Sequence, residues 1–150
     1  MLCQACDANR SGVFFWTLPD LIEAAARCGE RDRARGAMEH VVKRARVISA
    51  DWGLGLEARS AALVTDDPLQ AEPLYREAIE RLDRARVRTD LARAHLVYGE
   101  WLRRENRRTD AREQLRAYDD LLHAMGTHLF ADRVRRELTA TGETARKRTD

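Results

Sequence analysis

Cys3 and Cys6 stand three residues apart near the start of the chain, the spacing of half a zinc site or of a redox dithiol. Structural zinc takes four ligands in a closed tetrahedron. No second close Cys or His pair follows, since Cys28 and His40 are distant and fall in helical segments. A thioredoxin-like dithiol needs a strand–helix–strand setting, and no strand pattern exists here. The pair is read as incidental thiols in a loose leader, in preference to a metal or redox role. Cys28 reads as a small buried hydrophobe near the end of a helix.

The other chemistry-bearing residues lead the same way. His40, His95, His123 and His128 share no i,i+4 metal spacing. His95 falls on the inward edge of a helix and reads as a satisfied core histidine, with a ligand contact as the alternative. No strand-to-helix elbow is present to carry a Ser/His/Asp arrangement. No Gly-x-x-x-x-Gly-Lys-Ser/Thr run exists to cradle a phosphate. Arg103, Arg104, Arg107 and Arg108 form one basic run, and Arg133, Arg135 and Arg136 another. Each reads first as a solvated face with charge well placed at a helix end; an acidic peptide or a phosphate is the alternative. Aromatics are not interleaved with these arginines, which argues against single-strand binding. The expectation is a protein without catalytic residues, metal or cofactor.

The elements that must position any site are helical. The chain has 150 residues, 44% hydrophobic and 35% charged, with only 3 Pro and 8 Gly. Ala, Leu, Arg and Glu dominate, all good helix formers. Lys+Arg is 27 against Asp+Glu 25. That balance does not suit a dedicated nucleic-acid binder, which usually shows a concentrated basic surplus. There is no long apolar run of membrane-spanning length, and no signal-peptide pattern. A cytoplasmic protein with no membrane contact is expected.

Boundary signals and three-and-four apolar spacing divide the chain. A flexible leader covers 1–16, a helical domain 17–141, and a disordered basic tail 142–150. Within the domain about seven helices are expected. Thr17, with Pro19 and Asp20 behind it, starts the first, and Gly29 stops it. The second runs from Asp32 to Ile48 on Ala34, Ala37/Met38, Val41 and Ala45. The third, near 50–64, has sparse apolar residues. Pro73 is placed in the first turn of the fourth, because deeper in a helix it breaks the hydrogen-bond ladder. Leu74, Ala78, Leu82 and Ala85 follow, with Glu77–Arg81 and Glu80–Arg84 as i,i+4 pairs. Thr89 or Asp90 caps the fifth, which ends at Asn106. Thr109 caps the sixth, which carries Leu115, Tyr118, Leu122 and Met125 and ends at Gly126. Phe130, Val134 and Leu138 mark a seventh over 128–140.

The second, fourth and sixth helices repeat one another. Ala34, Ala71 and Ala111 each precede a large residue four later and an apolar one three after that. Gly99 stands 12 residues before Ala111. This matches the helical hairpin of the tetratricopeptide repeat, whose period is about 34 residues. Gly99, Ala34, Ala71 and Ala111 are then the small residues at which paired helices approach. Across the third helix either Ala58 or Arg59 takes the small-residue place. A hairpin with two apolar faces cannot bury both alone, so neighbours must stack. The expected architecture is all-α, a right-handed superhelix of antiparallel hairpins.

The runs Leu18–Gly29, Ala71–Leu82 and Leu91–Glu105, with the ending Arg135–Thr144, carry a further resemblance. Together they resemble the superhelical region of large ATP-binding LuxR-type bacterial transcriptional regulators. In that family a nucleotide-hydrolysing module and a helix-turn-helix domain flank this region, and the middle is thought to sense an inducer or a partner protein. The resemblance implies a fragment or truncated relative: a signal-sensing scaffold that binds no DNA itself and relays binding to a DNA-binding domain outside this chain. In the tetratricopeptide superhelix, the first helix of each hairpin lines the concave surface. On that register Arg93, Leu96, Glu100, Arg103 and Arg104 face the groove, a set suited to a peptide or a partner's helix. A small-molecule inducer in the same groove, or a homodimer through exposed ends near Trp16 and Trp52, are the alternatives.

Overall fold

The computed structural model describes residues 17–48 and 50–127. The leader with Cys3, Cys6 and Trp16, the seventh helix with His128, Phe130, Val134 and Leu138, the basic run at 133–136 and the 142–150 tail all lie outside the described residues. Among the described residues there are six helices and no strand. They are α1 Leu18–Arg27, α2 Arg31–Ile48, α3 Asp51–Val64, α4 Pro68–Arg84, α5 Arg88–Arg104 and α6 Arg108–Ala124. No described helix is long and apolar enough to cross a membrane.

Left-handed residues close four of the helices. Gly29, Arg86, Asn106 and Gly126 have φ of 76°, 56°, 61° and 70°. At two of these ends the next amide folds back on the helix: Glu30 N–H donates to Ala25 O and Arg107 N–H to Leu102 O, each at 2.9 Å. These bonds satisfy carbonyls that a helix end leaves open. Gly29, Asn106 and Gly126 stand where the sequence expects stops. Arg86 gave no such signal.

Helix starts differ more from expectation. α5 and α6 begin at Arg88 and Arg108, ahead of the expected caps, and neither has a side-chain cap. Asp90, one of the expected caps, makes a tertiary contact instead, and Asp110, beside the expected cap Thr109, pairs locally. Asp90 accepts from Trp52 Nε1 at 2.9 Å, and Asp110 from Arg107 Nε at 2.7 Å. α4 starts at Pro68, with Asp67 accepting from Leu69 N–H at 3.0 Å. Pro73 therefore sits inside the helix rather than in its first turn. Its missing donor leaves the Leu69 carbonyl without its ladder bond, at a residue 85% exposed and open to water.

Short turns make consecutive helices antiparallel neighbours. α1 packs on α2, α3 on α4, and α5 on α6; α2–α3, α4–α5 and α1–α3 contacts join the hairpins. Ala34, Ala71 and Ala111 are buried at these crossings. At Gly99 a Cβ would lie 3.0 Å from Leu115 Cγ and Cδ2 and 3.3 Å from the Ala111 carbonyl. At Gly55 it would lie 2.8 Å from Leu82 Cγ. α3 shows no apolar stripe because it is buried on several sides. Gly53, Gly55, Leu56, Ala58, Arg59, Ser60 and Ala62 are all buried, and small residues let its neighbours close in.

Two side chains fall elsewhere than expected. Cys28 is exposed: it is the C-cap of α1, beyond the face that buries Ile22 and Ala25. Glu77 pairs with Arg81 at 2.7 Å as spaced, but Arg84 turns from Glu80 to Asp51 of α3, at 3.1 and 3.2 Å. The antiparallel crossing brings Asp51, in the first turn of α3, beside the last turn of α4.

The glycines give a paired prediction. Gly36, exposed in α2, has nothing within 4 Å of an added Cβ, so Gly36→Ala is expected to stabilise the fold by about 0.8–1 kcal/mol from helix propensity. Gly99→Leu overpacks the α5–α6 crossing and is expected to cost at least about 1–3 kcal/mol. Thermal melts of the two variants check this; a Gly99→Leu melt equal to wild type would refute the close approach.

Candidate functional site

The first helices of the three hairpins, α1, α3 and α5, share a charged layer. On α1, Asp20, Glu23 and Arg27 recur at three and four residues, which places them along one face. Glu23 is a carboxylate only 1% exposed, inside the apolar run around Ile22 and Ala25. Arg93 of α5 makes it tolerable there, donating from Nε and Nη2 to its two oxygens at 2.9 and 3.1 Å. Bidentate guanidinium–carboxylate pairs are among the stronger polar contacts. Arg27 then reaches Glu100 of α5 at 2.8 Å.

Beneath this layer lies Arg59 of α3, 1% exposed. It turns toward Asp90 of α5 at 3.6 Å and Asp20 of α1 at 4.0 Å. Its Nε and Nη1 have no hydrogen-bond partner, nor does Ser60 Oγ. Burial pushes the Arg59 guanidinium below its ordinary pKa, and Asp90, Glu23 and Asp20 oppose the shift. Arg59 thus occupies the place where the repeat pattern allowed a small residue. It does so because α1 and α5 both bring acids to it.

The five groove positions separate into two groups. Arg93 and Glu100 are engaged by Glu23 and Arg27. Leu96 is half-buried. Arg103 and Arg104 are exposed and show no ion pair among the described residues. Arg104 lies on the rim of a cleft of about 440 Å³ that the helices of all three hairpins build. Its wall includes Ala26 and Arg27 of α1, Ala62 and Leu63 of α3, Ala71 and Tyr75 of α4, and Glu100 and Trp101 of α5, and the acids Asp66 and Glu105 also line it. Trp101 also walls a neighbouring surface hollow of about 460 Å³ with Pro68, exposed Leu69 and Pro73.

The aromatic wall is rigidly held. Tyr75 stacks on Tyr98 with centroids 5.2 Å apart, and Trp101 lies 5.6 Å from Tyr75 and 6.0 Å from Tyr98. Tyr98 donates its hydroxyl to Glu72 at 2.9 Å. Glu72 also accepts from Arg76 at 2.8 Å and Arg107 at 2.7 Å, tying α4 to α5 and to the start of α6. The Arg107 hydrogen bond, reinforced by those of Arg76 and Tyr98, pulls the Glu72 carboxyl down to about 2. His95 is held by Gln114, Nδ1 to Oε1 at 2.8 Å. Trp52 is half-buried and held by Asp90. Among the described residues no group of His, Cys, Asp and Glu is placed to hold a metal ion.

Sequence reasoning missed Trp101, Tyr75, Glu23 and Glu72. One signal was available: Glu23 is the lone acid in a seven-residue stretch from Leu21 to Arg27 that is otherwise mostly alanine and branched aliphatic. Locally Glu72 shows only an i,i+4 pair with Arg76, and nothing local marks its other two partners, which lie 26 and 35 residues away.

Two outcomes follow from these charges. Arg59→Met removes a buried cation with unsatisfied donors while Glu23 keeps Arg93 and Asp90 keeps Trp52. Removing one member of a buried pair is costly only where it strands its partner's charge; because Glu23 and Asp90 keep other partners here, the melting temperature is expected to hold or rise, and a loss of about 3 kcal/mol, the typical cost of breaking a needed buried pair, would contradict this. The Glu72 carboxyl is held below its ordinary 4.5, so its contribution is complete above pH 4.5 and lost as pH falls toward 2. Glu72→Gln should flatten the stability–pH curve in that window; an unchanged acid limb in denaturant titrations would dismiss the hub. No family model, no curated protein and no solved structure matches the chain.

Proposed function

We propose that the domain is a protein-interaction scaffold, the sensing region of a LuxR-type transcriptional regulator, which takes a peptide or helix of a partner in the cleft beside Trp101. The observation that carries the reading is the cleft itself. Residues of three successive hairpins wall it, one half-buried tryptophan stands between it and a second hollow, and the cation on its rim, Arg104, makes no ion pair among the described residues. Tryptophan and arginine in partly desolvated pockets dominate measured interface energies. The shape is that of a groove for an extended or helical segment rather than an enclosed cavity. No residue set in it offers a nucleophile with an adjacent base.

The regulator assignment rests on the Leu91–Glu105 run and the hairpin repeat. It accounts for a scaffold with a binding groove and without its own chemistry, since DNA binding would belong to another domain. A coding sequence that continues into a helix-turn-helix would support this parentage, and one that continues into an unrelated domain would end it.

Binding is tested by selecting a random-peptide display library on the immobilised domain and titrating an enriched peptide against variants. Trp101→Ala is expected to weaken it at least tenfold, about 1.4 kcal/mol, and Arg103→Glu with Arg104→Glu to abolish capture at unchanged helicity. Equal affinity for all three proteins would remove the cleft from the interface.

A further inference from the structure

Four charged side chains form one continuous chain between the first hairpin and the third. Arg93 of α5 holds both oxygens of Glu23 on α1. Glu23 Oε1 also lies 3.1 Å from Arg27 Nη2, and that nitrogen donates to Glu100 of α5 at 2.8 Å. The two inter-helix links join residues 70 and 73 positions apart. The helices they join have other principal neighbours, α2 and α3 for α1, and α4 and α6 for α5. α3 contacts α1 directly and reaches α5 through Trp52 and Arg59.

We propose that this chain is an ionic strap that sets the aperture of the cleft. Made, it draws α1 and α5 together over α3. Released, it lets the first and third hairpins part. Three features make it a strap rather than a fixed core contact. Its anchor, the Glu23 side chain, is 2% exposed, whereas the Arg27 and Arg93 side chains are 50% and 47% exposed. A half-exposed guanidinium exchanges partners with water and ions at little cost, so the Arg27–Glu100 link is the one that opens readily, while Arg93 keeps the buried Glu23 paired. Two of its members, Arg27 and Glu100, are cleft-wall residues, so breaking their bond changes the cleft directly. Below them Ile22, Leu91 and Ala94 belong to one apolar cluster. That contact keeps the hairpins joined when the ion pairs open. A partner carboxylate entering the cleft meets Arg27 and can take the place of Glu100, which couples occupancy to aperture.

This rests on the groove reading only for its use; the strap is measurable without any partner. Cys3, Cys6 and Cys28 are replaced by Ser in the full chain, and spin labels are placed at Glu39→Cys on α2 and Glu113→Cys on α6, both exposed. Distances are read by electron–electron double resonance from about 0.01 M to about 1 M salt, over which the screening length falls from about 30 Å to about 3 Å. The wild-type distribution is expected to be narrow at low salt and to lengthen by several ångströms at high salt. Arg27→Gln with Arg93→Gln should show the long distribution at every salt. Arg88→Gln with Arg108→Gln, which removes equal charge from exposed positions outside the cleft, should follow wild type. If the double strap variant loses helicity, Arg27→Gln alone is read in its place. Superposition of the strapless and wild-type distributions would overturn the strap while leaving the groove standing; failed peptide selection with a salt-dependent distance would do the reverse.

Discussion

Each hairpin of this protein has two faces that must leave water, and helix backbones have to come close for that to happen. α3 shows the constraint at its most severe. It lies against α1, α2 and α4, and it meets them with glycine, alanine and serine where a larger residue would hold them apart. Gly55 against Leu82 and Gly99 against Leu115 are two solutions of one problem: a missing Cβ on one helix admits a branched side chain from the next. Interiors packed this tightly pass a displacement on instead of absorbing it. The positions of the first helices are thereby coupled through their neighbours.

On that frame the first-helix layer carries charge where a small domain ordinarily carries hydrocarbon. Glu23 and Arg59 lie on different helices, and their burial, with half-buried Asp90 of a third helix beside Arg59, makes sense only in the stack. Taking a carboxylate or a guanidinium from water costs several kcal/mol unless it is paired. Arg93 supplies the pair for Glu23 with two hydrogen bonds, while Arg59 is left with donors unused. The layer therefore contributes more to the relative placement of hairpins than to their stability. Glu72 does similar work on the other side of the aromatic cluster, where one carboxylate gathers Arg76, Tyr98 and Arg107.

The cleft lies where these two arrangements meet. Its aromatic wall is held by stacking from Tyr75 and Tyr98, and its lining also includes two strap residues, Arg27 and Glu100. A surface that is part rigid aromatic and part ionic suits recognition with adjustment, since the rigid aromatic supplies area at low entropic cost. Arg93 and Glu100, which the repeat register turns toward the groove, are already occupied within the chain. On the proposed reading, recognition accordingly falls toward the α5 C-terminus, where Trp101 lines the cleft and Arg104 makes no ion pair among the described residues.

Much of the architecture was written into local sequence. Helix type, the stops at Gly29, Asn106 and Gly126, and the alanine stripe of α2 follow from propensity, left-handed tolerance and three-and-four spacing, which act within a few residues of one another. Helix starts were less legible, because an acid such as Asp90 can serve a cap or a distant side chain equally well, and only the fold decides which. The character of α3 was illegible for the opposite reason: a helix surrounded on several sides loses the periodicity that would announce it. What tertiary structure alone decided was pairing. Arginine is abundant throughout the chain, and nothing in the order of residues says that Arg93 and Arg27 will be consumed by Glu23 and Glu100 while Arg104 makes no ion pair among the described residues, because that choice depends on which helices lie side by side.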